Sequence, residues 1–547
     1  MIQRSADTRT SRLVMVAMVL AVSMSFIDQT IVAIASPDLQ RDLSLTGQEG
    51  LWVVNAYLVA LAATFALGGR LADVWGRRRM VMIGVAGFAV ASAACGATPA
   101  VSWSETWLIA ARVGQGFFAA LLMPAAIAVV YSAAAPERRG RSMAMFFGIT
   151  GAFTALGPVL GGYLVEWSWR SIFLINVPVA LAALVLTARA PIVQERVRER
   201  IDWRGAALVA AGMALSVIGF SQASVWGWTS VATWACLVSG LAVLALFVVV
   251  ERVTPVPLVR LSIFAGRGFR VDSAVLFFAM AAFVPVSYFL SVYAQVSLGL
   301  SAGNTSKLLL QFFLGFLIAA QVGGRIFDAK GAKPTIILGC LVGIAGFAWW
   351  AHQVTTLTTS AQMHPLLLAG AGIGLLLGPA SADAVSRAGH STYGEVTGIN
   401  QTVRNYGSAL AFAILGTLAA HVFAGRFTSS LVGLGVPRGT AAKIAAESSH
   451  GVAGSRPDAP RALQAAIGRA AAHDFAYGMR AVIVAMAVAL VIALFIALLH
   501  PGDRPAAAPG PDQLLDQAVL EGSSSAPGAD VTARTTTAPR SRLGEHG

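Results

Sequence analysis

The sequence predicts an all-α integral membrane protein with fourteen spanning helices arranged as six plus two plus six. Three observations predict it. Of the 547 residues, 56% are hydrophobic and only 12% are charged, against about 25% charged in soluble domains. Long apolar runs recur from Arg12 to His500, many near the ~20 residues a helix needs to cross hydrocarbon. A charged segment, GGRLADVWG at 68–76, returns as GGRIFDAKG at 323–331.

The spans expected from hydropathy are 12–35, 50–69, 80–98, 106–132, 142–165, 170–190, 204–223, 231–250, 271–296, 305–325, 334–352, 364–387, 396–422 and 475–499. The first is too long for a signal peptide and contains Asp28, although Ala33-Ile34-Ala35 mimics a cleavage site; it is read as a retained span. An even count places both ends on one side. Cytoplasmic loops are enriched in Lys and Arg. Arg77, Arg78, Arg79, Arg138, Arg139, Arg141, Arg196, Arg198, Arg200 and Arg204 all fall on the N-terminal side, whereas the short loops opposite hold only Arg41, Arg170 and Lys307. Both termini are therefore expected in the cytoplasm. The opposite loop 423–474, rich in Ala, Gly and Ser, is the basic exception; an amphipathic helix inside it is left open. The Pro-, Ala- and Ser-rich stretch 501–547 is expected to be a disordered cytoplasmic tail.

A net charge of +13 would fit nucleic acid. The clustering of basic residues in short loops fits membrane topology instead, and nucleic acid is excluded as a partner. No phosphate loop or zinc spacing is present. Cys95, Cys236 and Cys340 sit far apart inside apolar runs and read as small buried hydrophobes, with no disulfide and no metal site.

The repeat has an offset of 255 residues, and the same offset carries Met123-Pro124-Ala125 to Gly378-Pro379-Ala380. Two matches at one offset pair span two with ten and span four with twelve. The organisation that satisfies them is residues 1–11 as an N-terminal segment, 12–190 as a first six-helix bundle, 191–259 as a linker with two inserted helices, and 260–500 as a second bundle. Repeated halves around a central site are how many secondary transporters are built.

The pattern G-x-L-A-D-x-x-G-R-R at Gly69–Arg78 resembles the loop-two/three signature of the major facilitator superfamily. FIDQTIV at 26–32, Arg112-Val113-Gly114-Gln115-Gly116, Gly157-Pro158-Val159-Leu160-Gly161-Gly162 and the segment Trp169–Pro178 are similar, in order and spacing, to motifs of its fourteen-span drug:proton antiporters. The resemblance implies the major facilitator fold, alternating access and antiport with no cofactor beyond the proton gradient.

Particular residues then carry expectations. Gly69, Arg70, Asp73, Gly76, Arg77 and Arg78 would form a gating loop, with Asp73 near a helix N-terminus pairing with basic groups; Asp328 stands in the second copy, beside Arg325 and Gly331. Asp28 lies inside span one, where an ionised carboxylate costs roughly 2.5–3.5 kcal/mol. Low dielectric favours its neutral form and a nearby cation its charged form, so it is the expected proton carrier. Arg112 cannot readily deprotonate and would tune that carboxylate; Gln115 shares its helix face. Asp383 and Arg404 would pair with each other or line a cavity, with Asp383 attracting cationic substrates or serving as a second proton site. Gly148, Gly151, Gly157, Pro158, Gly161 and Gly162 form the antiporter motif of span five, a smooth face for tight packing. Trp52, Asn55, Gln115, Tyr288, Tyr293 and Arg404 are expected to line a broad substrate cavity. Span ten lacks the acidic residue of relatives that export divalent cations.

The expected function is proton-coupled export of amphipathic drugs or toxic organic compounds across the inner cell membrane. The alternative is a dedicated transporter of one metabolite, siderophore or self-made antibiotic. No nucleophile–base constellation suggests an enzyme. The partners are the lipid bilayer, protons and small amphipathic substrates; in an organism with two membranes a periplasmic adaptor and an outer-membrane channel would complete the path.

Overall fold

Every element among the described residues is helical. The computed structural model describes residues 2–134, 139–192, 201–387, 393–450 and 461–502. Seven helices make the first part: α1 (Ile2–Asp42), α2 (Gly47–Trp75), α3 (Arg77–Gly96), α4 (Ser104–Ala133), α5 (Arg139–Trp167), α6 (Ser171–Leu174) and α7 (Asn176–Arg189). Two follow, α8 (Trp203–Trp226) and α9 (Val231–Val253). The rest comprises α10 (Arg267–Val296), α11 (Ala302–Lys330), α12 (Ala332–Gln353), α13 (Thr359–Ser386), α14 (Tyr393–Gly433), α15 (Arg438–His450) and α16 (Arg461–Leu498).

Local chemistry sets the helix ends. Thr46 and Glu49 form a capping box at the start of α2, satisfying orphan amides reciprocally. Ser301 caps α11 by accepting from the Asn304 amide at 3.3 Å, and Asp202 caps α8 through the Gly205 amide at 2.9 Å. α2 stops at Gly76, where φ is 102°, and α11 stops at Gly331, where φ is 88°. Glycine adopts such angles without steric cost, so the chain reverses there at once into α3 and α12. These two breaks are 255 residues apart.

The same offset governs packing. A Cβ on Gly68 would lie 1.9 Å from the Ala120 carbonyl oxygen, and one on Gly323 would lie 2.7 Å from the Leu375 carbonyl oxygen. Each glycine lets its helix touch the backbone of the helix two spans on, as small residues do where lipid tails remove the hydrophobic drive for association.

Thirteen helices among the described residues are long and apolar enough to cross a membrane; α5, 29 residues long, stands outside that set at the place of the expected fifth span. The apolar window of α10 is 83% buried and that of α9 only 22%, which makes α10 central and α9 peripheral. α9 packs on α8, and α8 packs on both α2 and α14. One end of the bundle carries the breaks at Gly76 and Gly331 and is called the Gly76 end; the opposite end carries Trp169.

Several boundaries differ from expectation. α1 runs seven residues past 35, to Asp42, α14 continues to Gly433, and α16 begins at Arg461. Much of the expected loop 423–474 is therefore helix. Hydropathy marks only the part in hydrocarbon, while these helices continue because Phe423, Phe427 and Leu431 pack against Ala441 and Ala445 of α15 and Ile467 of α16. Span six is broken at Ile175, between α6 and α7. The expected tail lies outside the described residues beyond 502, as do 451–460 of the loop and Arg138, Arg196, Arg198 and Arg200.

Candidate functional site

Asp28 on α1, Arg112 and Gln115 on α4, and Tyr57 on α2 meet with no exposed surface. Arg112 Nη1 pairs with Asp28 Oδ2 and donates to Gln115 Oε1 at 2.8 Å. Gln115 Nε2 donates to Asp28 Oδ1 at 3.3 Å. Arg112 Nε donates to the Val53 carbonyl at 2.8 Å, and its guanidinium stands 4.6 Å from the Tyr57 ring centroid. The Cys95 thiol donates to Gln115 Oε1 at 3.3 Å, so Cys95 is a polar contact as well as a small hydrophobe.

This arrangement follows from helix geometry. Arg112 and Gln115 are three residues apart and share one face of α4. Gly116 lets α4 approach α2, since a Cβ there would lie 2.4 Å from the Tyr57 carbonyl oxygen. Chemically, the site is a carboxylate held by a permanent cation and steered by an amide. Removing either charge would strand the other in low dielectric, typically a loss of about 3–5 kcal/mol. A proton arriving at Asp28 would release Arg112, and Arg112 would then need another acceptor.

In the expected gating loop, Asp73 occupies the last turn of α2 and Arg77 the first turn of α3. They lie 3.6 Å apart. The carboxylate offsets a cation at a helix N-terminus, where the macrodipole disfavours it. Arg78 donates to the Ala188 carbonyl at the end of α7. Asp328 occupies the last turn of α11.

The expected antiporter motif divides. A Cβ on Gly157 would meet Thr30 Oγ1 at 2.1 Å, one on Gly161 would meet Ile31 at 2.9 Å, and one on Gly162 would meet Ser306 Oγ at 2.1 Å. The Pro158 carbonyl accepts from Ser306 Oγ at 2.7 Å. Gly151, in contrast, has nothing within 4 Å and is not part of a continuous packed face. The packing of Gly148 lies outside the described residues.

The residues expected around a cavity do not form one group here. Gln115 belongs to the Asp28–Arg112 cluster. Tyr293 is fully buried and donates to the Val354 carbonyl at 2.6 Å. Tyr288 is 4% exposed and packs edge-on against Phe289 and Phe412. Asn55 is fully buried with neither amide atom partnered, and Trp52 is half-buried. Arg404 is half-buried, approaches Met280 Sδ at 3.7 Å and has no partner at Nε.

The expected Asp383–Arg404 pair is not formed. Asp383 instead bonds Arg387, the residue just beyond α13, and His500 Nε2 at 3.0 Å. Asp272 of α10 also faces His500. Sequence reasoning missed Asp272, although it lies second in the expected span 271–296. A charge at a span edge reads as interfacial, and hydropathy carries no information about what covers it.

The sequence profile described as Major Facilitator Superfamily matches residues 18–412. A cephamycin export protein of Amycolatopsis lactamdurans is 34% identical over 430 residues, covering 76% of this chain and 86% of the relative. The multidrug resistance protein Stp of Mycobacterium tuberculosis (strain CDC 1551 / Oshkosh) is 32% identical over 422 residues, covering 75% and 76%. The crystal structure of a bacterial homologue of the human lysosomal transporter Spinster, inward-facing and unoccupied, superposes with a TM-score of 0.59 at 17% identity, covering 90% of this chain and 97% of that one.

Proposed function

This chain belongs to the major facilitator superfamily, and from that premise we propose that it is a proton-coupled exporter of amphipathic drugs or toxic organic compounds. It is a multi-pass membrane transporter, not an enzyme. The observation that carries the coupling is the buried Asp28–Arg112–Gln115 cluster. A carboxylate whose one strong counter-charge among the described residues is a fixed guanidinium is the group whose protonation would reorganise its surroundings. Export as the direction rests on relatives named for cephamycin export and multidrug resistance.

The contacts between the two halves support alternating access. Gln295 donates to the Ile34 carbonyl at 3.1 Å, Ser306 donates to the Pro158 carbonyl at 2.7 Å, and Leu51 fills the space beside Gly416. All three lie toward the Trp169 end. The clustering of Arg and Lys at the other end supports placing the Gly76 end and both termini in the cytoplasm, with the protein in the inner cell membrane. In that orientation this conformation is closed to the outside. Opening would separate these contacts, and the Asp73–Arg77 loop would engage as the Gly76 end closes. Asp383 is retained as a second proton site, in the company of His500 rather than Arg404.

The test is purified protein in liposomes holding a pH-sensitive dye, with an imposed pH gradient and a panel of lipophilic cations and neutral drugs. Drug-triggered proton flux supports the reading. No flux with any compound overturns it. The cephamycin relative favours one second reading, a dedicated exporter of a single self-made antibiotic, which a radiolabelled panel with one responding compound would support. An adaptor and an outer-membrane channel would extend the route where a second membrane exists; co-purification from such a cell tests for them.

A further inference from the structure

A second buried cluster lies at the Gly76 end of the second half, apart from Asp28. Asp272 stands on the second turn of α10, Asp383 near the end of α13, and His500 two residues beyond α16. They are 0%, 1% and 2% exposed. One donor atom from each lies within 4.8 Å of the others. His500 Nε2 is 3.0 Å from Asp383 Oδ2 and 3.5 Å from Asp272 Oδ1. Arg387 bonds Asp383 and holds its Nε 4.0 Å from Asp272 Oδ2. Gly268 makes that approach feasible, because a Cβ there would lie 2.4 Å from Arg387 Nε. Among the described residues, neither oxygen of Asp272 has a hydrogen-bond partner.

Charge counting shows what is missing. The Gly502 amide donates to His500 Nδ1 at 3.1 Å, so Nδ1 offers a lone pair and the ring hydrogen sits on Nε2, facing the carboxylates. Burial disfavours the imidazolium and the two carboxylates favour it, a balance that alone would hold His500 at about 9; the Gly502 amide, donating to Nδ1, favours the neutral ring with its hydrogen toward the carboxylates. Arg387 then cancels one carboxylate. With the ring neutral, one negative charge is left, buried on Asp272, whose oxygens stand 3.5 Å from His500 Nε2 and 4.0 Å from Arg387 Nε. Such a charge neutralises rather than persists, and two adjacent carboxylates cannot both stay ionised readily. One proton brings the count to zero. A divalent cation would leave a net positive charge beside Arg387.

Arg267 and Arg270 of α10 are exposed and line, with Val271, Ile496 and Leu499, a groove of ≈ 290 Å³. Lys333 of α12 has its Cδ 3.4 Å from where a Cβ of Gly502 would stand. From α14 come Val396 and Ile399, which pack with Phe269 and Ala384. The groove is bordered by the sequence neighbours of Asp272 and His500, so a proton has a short path to solvent.

We propose that Asp272, Asp383 and His500 form a second proton-binding site, with one exchangeable proton held on the Asp272–Asp383 pair and Arg387 as its fixed counter-charge. While held, the proton lets α10, α13 and the end of α16 stay packed together; its loss leaves an unpaired buried charge and loosens that junction. The extent of the family match, residues 18–412, stops short of His500. The site does not depend on the export reading, because it binds its proton without any drug.

The experiment is infrared difference spectroscopy of the full-length protein in nanodiscs between neutral and alkaline pH, in an Asp28→Asn background. A protonated-carboxyl band is expected at neutral pH, shifted by heavy water and lost on alkalinisation. Its amplitude should fall to background on adding Asp272→Asn. Asp272→Glu, which keeps the acid should the amide fail to fold, should move the band's frequency. No such band at any pH, or one unchanged by both substitutions, overturns the proposal. So does one-to-one uptake of Zn²⁺ or Mn²⁺, measured with the metal alone and lost in Asp272→Asn. A failure of drug-triggered flux in liposomes would leave these readouts untouched.

Discussion

Neither Asp28 nor Arg112 can stand in hydrocarbon by itself, and each is the reason the other is tolerated. Arg112→Ala should therefore destabilise the protein by about 3–5 kcal/mol, while adding Asp28→Asn should recover much of the loss; thermal unfolding in one detergent measures the cycle, and simple additivity would contradict the pairing. Asp28→Asn alone should abolish drug-triggered proton flux in liposomes and leave drug binding measurable. Flux that survives would move the proton to another carboxylate, Asp383 first. At this scale the sequence was only partly legible. Single charges inside apolar runs mark themselves by their insertion cost, which is how Asp28, Arg112 and Asp383 stand out. Asp272 and His500 do not, because each sits at a span edge, and their burial comes from helices distant in the chain.

At the scale of the element, glycines decide how closely helices approach. Gly162 of α5 lies against Ser306 of α11, whereas Gly151 meets open space. Gly162→Leu should separate α5 from α11 at the Trp169 end and cut transport at least tenfold, while Gly151→Ala should be close to neutral. Equal effects of the two would show that the motif acts through something other than this contact. The 255-residue repeat predicts paired helix breaks, and Gly76 and Gly331 supply them with positive φ. The lengths of α14 and α16 were not legible, since their extensions are held by side-chain packing beyond the apolar window.

For the whole molecule, α1, α5 and α2 meet α10, α11 and α14 toward the Trp169 end. Cysteines placed at Ile34 and Gln295 should cross-link readily in the resting protein and lock transport until reduced. Rapid export by the cross-linked form would refute closure at that end. The energetics add a further expectation. Exchange of one proton for one monovalent cation moves no net charge, whereas exchange for a neutral drug gains about 2.3 kcal/mol per ~100 mV of membrane potential. Collapsing the potential with valinomycin and potassium should slow export of neutral drugs and spare that of monovalent cations; identical responses would rule out one-for-one exchange.

The sequence by itself determined the class of solvent, the recurrence of spanning helices, the repeat and its family, because these depend on composition and on periodicity along the chain. Only the tertiary structure decided which charges meet. Asp28 finds Arg112 across 84 positions, and Asp383 finds His500 across 117 rather than Arg404. Partner choice depends on each helix's rotation and depth, set by the summed packing of all its neighbours. A helical period fixes which residues share a face, but it does not fix what that face will be turned toward.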